Sequence, residues 1–91
     1  MLLQLKYPEE IARDIANAEK EKRKKRKLTQ EELSARAGIS LGSLRRFEQT
    51  GEISFVSLLR IAAVLDETDR FMELFTRKEY ASIQEVIDER K

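Results

Sequence analysis

The sequence has no cysteine, no histidine and no tryptophan, and only one proline and three glycines among 91 residues. Without cysteine no disulfide can form, and without Cys or His a zinc site of the Cys/His kind is excluded. The missing histidine also removes the commonest general base, and with it Ser-His-Asp and Cys-His catalysis, so an enzyme is a poor reading and no cofactor or metal is expected. Long apolar runs are lacking too. Ile61 to Leu65, with Leu58 and Leu59 ahead of it, falls far short of the roughly 20 residues a membrane span needs. Met1-Leu2-Leu3-Gln4-Leu5 is too short, and too soon followed by charge, for a signal peptide, so a cytoplasmic protein with no membrane partner is expected.

What is present is 41% hydrophobic and 38% charged residues, the balance of a helix-rich chain with a small core, in a length that suits one domain. The net charge of +1 hides an asymmetry. Residues 1–27 carry 9 basic and 5 acidic side chains, residues 28–51 carry 3 of each, and residues 52–91 carry 6 basic and 9 acidic. Much of the positive charge lies in one run, Lys20-Glu21-Lys22-Arg23-Lys24-Lys25-Arg26-Lys27. Such a run is either a solvated helix end that suits the macrodipole or a local field able to attract a polyanion.

Leu2, Leu3, Leu5 and Tyr7 read as a short strand or an arm before Pro8, which opens a helix with Glu9 and Glu10 at the positive end of its dipole. That helix is predicted from about Pro8 to Arg26, with Ile11, Ile15 and Ala18 as its apolar stripe. Thr29-Gln30-Glu31-Glu32 is a capping box: the Thr hydroxyl takes the amide three residues on, and Glu32 reaches back to the Thr amide. The helix it starts carries Leu33 and Ala37 inward and stops at Gly38. Ser40 then caps a helix from Leu41 to about Gln49, with Leu44 and Phe47 facing the core and Arg45 and Arg46 facing out. Ser54 caps a fourth helix through Leu65, whose apolar face is Phe55, Leu58, Leu59, Ile61, Ala62 and Leu65. Thr68 is expected to cap a short fifth helix with Phe71, Met72, Leu74 and Phe75, and Ser82-Ile83-Gln84-Glu85 repeats the capping-box pattern before Val86 and Ile87.

Two short helices joined by a turn that starts with Gly38 form a helix-turn-helix, which lays its second helix in the major groove and its first across the phosphate backbone. Helix starts offer unpaired amides and a positive dipole end, so Thr29 and Gln30 could hold one phosphate and Ser40 another. The stretch Leu28-Thr29-Gln30-Glu31-Glu32-Leu33-Ser34-Ala35-Arg36-Ala37-Gly38-Ile39-Ser40, then Leu44, Phe47-Glu48 and Gly51, resembles the xenobiotic-response-element (Cro and phage-repressor) family over about residues 8–75. Within it, Ser43 to Ser54, the leading Tyr7-Pro8-Glu9-Glu10-Ile11-Ala12 and the closing Leu74-Phe75 look most like small HipB-type antitoxins, which are encoded beside HipA-type kinase toxins.

The resemblance implies an all-α, compact five-helix, lambda-repressor-like domain over residues 8–75, between an arm of residues 1–7 and a C-terminal extension of residues 76–91. It implies that Leu41, Gly42, Ser43, Arg45 and Arg46 form the base-reading face, and that Thr29, Gln30, Ser40, Gln49 and Thr50 lie toward phosphates. Arginine can bond bidentately to guanine, Leu41 could press on a thymine methyl, and Gly42 either lets backbone approach the groove wall or packs tightly on the preceding helix. Where many relatives carry glutamine this chain has Leu41, which puts more of the reading on Arg45 and Arg46. The family's structural ion pair falls by register on Arg23 and Glu48.

The ends hold more apolar residues than a domain of this size needs: Leu2, Leu3, Leu5 and Tyr7 in front, and Phe71, Phe75, Tyr80, Ile83, Val86 and Ile87 behind. They suit a homodimer on a palindromic double-stranded operator, with the acidic C-terminal third offered to a protein such as a HipA-type toxin. The expected function is therefore a sequence-specific, autoregulatory repressor and antitoxin; the alternative is an interaction module of the same fold that binds a protein instead of specific DNA.

Overall fold

Small polar residues open three of the helices by taking up an amide that the helix itself leaves unpaired. In the computed structural model, which describes residues 6–79, the elements are α1 (Pro8–Lys25), α2 (Gln30–Ala37), α3 (Leu41–Thr50), α4 (Phe55–Val64) and α5 (Thr68–Met72). Among the described residues the fold is all-α, and the first four helices fall where the sequence predicts them, but α5 ends at Met72, so Leu74 and Phe75, predicted inside it, lie beyond its end and are exposed, with nothing to pack on past that turn. The apolar residues of Met1–Leu5 and the tail residues Tyr80, Ile83, Val86 and Ile87 lie outside the described residues.

The Thr29 hydroxyl accepts from the Glu32 amide at 3.0 Å while the Glu32 carboxylate accepts from the Thr29 amide at 2.9 Å, closing the capping box of α2. Ser40 accepts from the Ser43 amide at 3.0 Å and Ser54 from the Ser57 amide at 3.1 Å. α2 ends at Gly38, whose φ of 70° is the left-handed conformation that glycine tolerates best, and Arg60 donates to the Gly38 carbonyl at 3.4 Å. α5 departs from expectation. Its N-cap is Glu67, with no side-chain cap, and Thr68 is the first helical residue; the Glu67 carboxylate pairs with the ammonium of Lys22 on α1.

The core gathers Ala16, Leu28, Leu33, Ala37, Leu44, Phe47, Ile61 and Leu65, with Ile39, Ile53, Leu58 and Val64 packed around it. Burying a side chain such as Phe47 or Leu33 contributes about 1.5–3 kcal/mol, so this small cluster is the main source of stability. α1 packs on α3, α2 packs on both α3 and α4, and α5 hangs from α4.

The stripe predicted for α1 is not the buried one. Ile11 and Ile15 are exposed by 46% and 44% and Ala18 is exposed, whereas Ala16, Glu19 and Arg23 are buried. The reason is close approach: a Cβ on Gly51 would sit 2.9 Å from the Ala12 carbonyl carbon, so the α3 end touches the α1 backbone. Only the line of small residues Ala12 and Ala16 lets the helices come that near. The isoleucines, one position back and so about 100° round the helix, are left exposed, Ile15 at an open apolar groove that Ala18, Leu58 and Phe71 also line.

Candidate nucleic-acid interface

α3 is built to present one face. Leu44, Phe47 and Glu48 are buried, while Gly42, Arg45, Arg46 and Gln49, at the spacing that aligns residues along a helix, are exposed. Leu41 is half-buried at the first position and Ser43 is exposed beside it. The Ser40 hydroxyl donates to the Ser43 hydroxyl at 2.9 Å, so both sit together at the positive end of the helix. Gln49 and Thr50 lie at the other, negative end, and the Thr50 hydroxyl is taken up locally, donating to the Arg46 carbonyl at 2.7 Å. Of the residues expected near phosphates, Ser40, Thr29 and Gln30 therefore sit at helix starts and Gln49 and Thr50 do not.

A Cβ on Gly42 would meet nothing within 4 Å among the described residues. Tight packing on the preceding helix, one of the two readings of this glycine, is thereby ruled out. Both outward arginines have carboxylate company, Arg46 at 2.5 Å from Glu52 and Arg45 at 3.9 Å from Glu31.

Behind this face stands a buried polar cluster. Arg23 donates from Nε to Glu48 Oε2 at 2.9 Å, from Nη2 to Glu48 Oε1 at 3.0 Å, and from Nη1 to the Leu28 carbonyl at 2.9 Å. Gln30 Nε2 donates to the same Glu48 Oε1 at 2.9 Å, which fixes the side chain at the start of α2 and leaves its other N–H available. Burial alone would raise the Glu48 pKa, but the bonds from Arg23, Glu19 and Gln30 overcome it and hold Glu48 below the ordinary value. Glu19 is the member that sequence reasoning missed. Its two oxygens are buried and meet no amide or hydroxyl donor. Burial first, then the neighbouring Glu48 carboxylate, push the Glu19 pKa up to about 8, which favours its neutral form. The available signal was register: Glu19 lies four residues before Arg23 and three after Ala16, on one helical line.

The basic run is divided between two uses. Arg23 turns inward to Glu48, Lys22 pairs with Glu67, and Arg26 donates to Asp66 at 2.9 Å, which ties the end of α1 to the end of α4. Lys24, Lys25 and Lys27 are exposed. Among the described residues there is no group of acidic residues placed to hold a metal ion, and no helix is long and apolar enough to cross a membrane.

A protein-family model described as helix-turn-helix matches residues 20–71, more than half of the chain. The chain belongs to the helix-turn-helix family. The match takes in the last turns of α1, all of α2, α3 and α4 and most of α5, so it spans the helix-turn-helix pair together with the core that holds it. No curated protein matches the chain. The helix-turn-helix family of the Cro type is one of DNA-binding transcription regulators and not of enzymes, and that is the coarse function of this domain.

Proposed function

We propose that this helix-turn-helix protein is a sequence-specific, autoregulatory repressor that binds double-stranded operator DNA as a homodimer in the cytoplasm. The observation that carries the reading is the exposed face of α3, where Gly42 lines up with the exposed Arg45 and Arg46, a Cβ on Gly42 would meet nothing among the described residues, and Ser40 stands at the positive helix end. In this reading Leu41, Gly42, Ser43, Arg45 and Arg46 meet base edges in the major groove, and Ser40, Thr29 and Gln30 meet phosphates, with Gln49 and Thr50 at the margin.

Dimerisation is supported by the apolar surface left open elsewhere: Tyr7, Ile11, Ile15, Phe55, Met72 and Phe75 are all exposed, and Ile15 lines an apolar groove between α1, α4 and α5 together with Leu58 and Phe71. An open apolar groove of this kind is the sort of surface at which proteins associate. A two-fold dimer would read half-sites about 34–36 Å apart. The resemblance of residues 43–54 to HipB-type antitoxins carries the finer reading, that a HipA-type kinase toxin is the protein partner.

The test is fluorescence anisotropy of the full chain against the DNA upstream of its own gene and against a shuffled duplex, at about 50 and 200 mM salt, a range in which phosphate contacts are strongly felt. A preference for the upstream DNA that survives added salt, and a loss for Arg46→Ala of about tenfold or more on that DNA but less on the shuffled one, supports the reading. Equal binding to both duplexes, or none, favours the interaction module.

A further inference from the structure

We propose that Glu52, through its hold on Arg46, is a specificity-determining residue of the DNA-binding face; the inference rests on the DNA-binding reading above. Glu52 does not reach Arg46 by chance of a long side chain. Gly51, in the left-handed conformation at φ 83°, reverses the chain at the end of α3 and brings residue 52 back along the last turn. The Thr50 hydroxyl then joins the two strands of that reversal, donating to the Arg46 carbonyl at 2.7 Å and accepting from the Glu52 amide at 3.1 Å. Gly51 is itself clamped, because a side chain there would strike the Ala12 backbone at 2.9 Å. The backbone on both sides of the Arg46–Glu52 pair is therefore set, and across it Arg46 Nη2 donates to Glu52 Oε1 at 2.5 Å.

The consequence is electrostatic. A lone arginine on a recognition face is drawn to any phosphate, and that attraction is independent of sequence. Glu52 is exposed, so it offsets the Arg46 charge toward the surrounding phosphates while the guanidinium keeps further N–H donors free for directional bonds to a base edge. An exposed ion pair is worth no more than about fivefold in an equilibrium, weak enough to be exchanged for a good base contact and strong enough to bias against a poor one. Glu52 thus lowers affinity for wrong DNA more than for right DNA.

The experiment uses the full chain. A duplex is selected by the wild-type protein from a randomised pool, and its dissociation constant is compared with that of a shuffled version for wild type, Glu52→Gln, Arg46→Ala and the double variant, over a salt series. Glu52→Gln is expected to tighten the shuffled duplex about two- to fivefold and the selected one by less, and to steepen the salt slope on the shuffled duplex by about one phosphate's worth. On the Arg46→Ala background the same change should leave the ratio within about twofold, since Glu52 acts through Arg46. Glu52→Asp, which keeps the charge but shortens the reach, should fall between wild type and Glu52→Gln. A purely structural role for the turn would instead lower the melting temperature and weaken both duplexes in proportion, which overturns the inference. So does an unchanged ratio in Glu52→Gln, or an equal change with and without Arg46. If wild type selects no preferred duplex, the DNA-binding reading falls and the inference with it; if it selects one and Glu52→Gln keeps the ratio, only the inference falls.

Discussion

Arg23 on α1 and Glu48 on α3 form a two-pronged ion pair, at 2.9 and 3.0 Å, buried behind the exposed face of α3. Removing one partner strands a buried charge. Glu48→Ala or Arg23→Ala should destabilise the protein by about 3–5 kcal/mol, read by urea denaturation, while an apolar pair such as Arg23→Met with Glu48→Leu should recover most of that loss. A double variant no better than the worse single one would show that the pair contributes more than charge compensation.

Glu19 makes stability depend on pH in the opposite sense to an ordinary surface carboxylate. Its folded pKa, about 8, lies above its ordinary value of 4.5, so the stability it contributes is full below that ordinary value and is lost as pH rises through about 8. Glu48 is held low and works the other way, contributing above the ordinary carboxylate range and losing that contribution as pH falls through its lowered value. The melting temperature of the wild type should therefore drop between about pH 4.5 and 8 and level off above that. In Glu19→Gln, where an amide donates to Glu48 at every pH, that drop should largely vanish. A wild-type profile flat over this range would show that Glu19 stays ionised.

Gly42 separates folding from binding. With open space around it, Gly42→Ala should stabilise the helix by up to about 1 kcal/mol, seen as a higher melting temperature. The added methyl lies on the face proposed to enter the groove, so affinity for the operator should fall. Unchanged affinity would place the groove wall elsewhere.

Ile15 tests the assembly. It is 44% exposed, so Ile15→Glu should leave helix content by circular dichroism intact and change monomer stability by less than about 1 kcal/mol. Light scattering should nevertheless report a monomer, and operator affinity should drop because one half-site is held where two were. A variant that remains dimeric would move the interface off the α1 rim.

Much of the interface was legible because it is built from local rules. Ser40 and Thr29 announce helix starts, Gly38 a helix end, and the spacing of Leu44 and Phe47 leaves Arg45 and Arg46 outside. Arg23 and Glu48 were paired only by family register, since nothing in a 25-residue separation dictates that contact. Glu19 and Glu52 were missed for the same reason: each is a common surface residue until another helix or a chain reversal meets it.

By itself the sequence determined where the helices begin and stop, since a cap joins groups three residues apart and a left-handed glycine acts on its own backbone. It also determined which chemistry was absent, because composition needs no geometry. Only the tertiary structure decided which side of α1 is the core. Two stripes one residue apart differ by about 100° of rotation, and the choice fell to the small Ala12 and Ala16, which allow the close approach to α3 that the bulkier Ile11 and Ile15 would prevent. That same approach buries Glu19 against Glu48, and the reversal at Gly51 sets Glu52 on Arg46: both are consequences of helices meeting, where the energy depends on distances that no single segment contains.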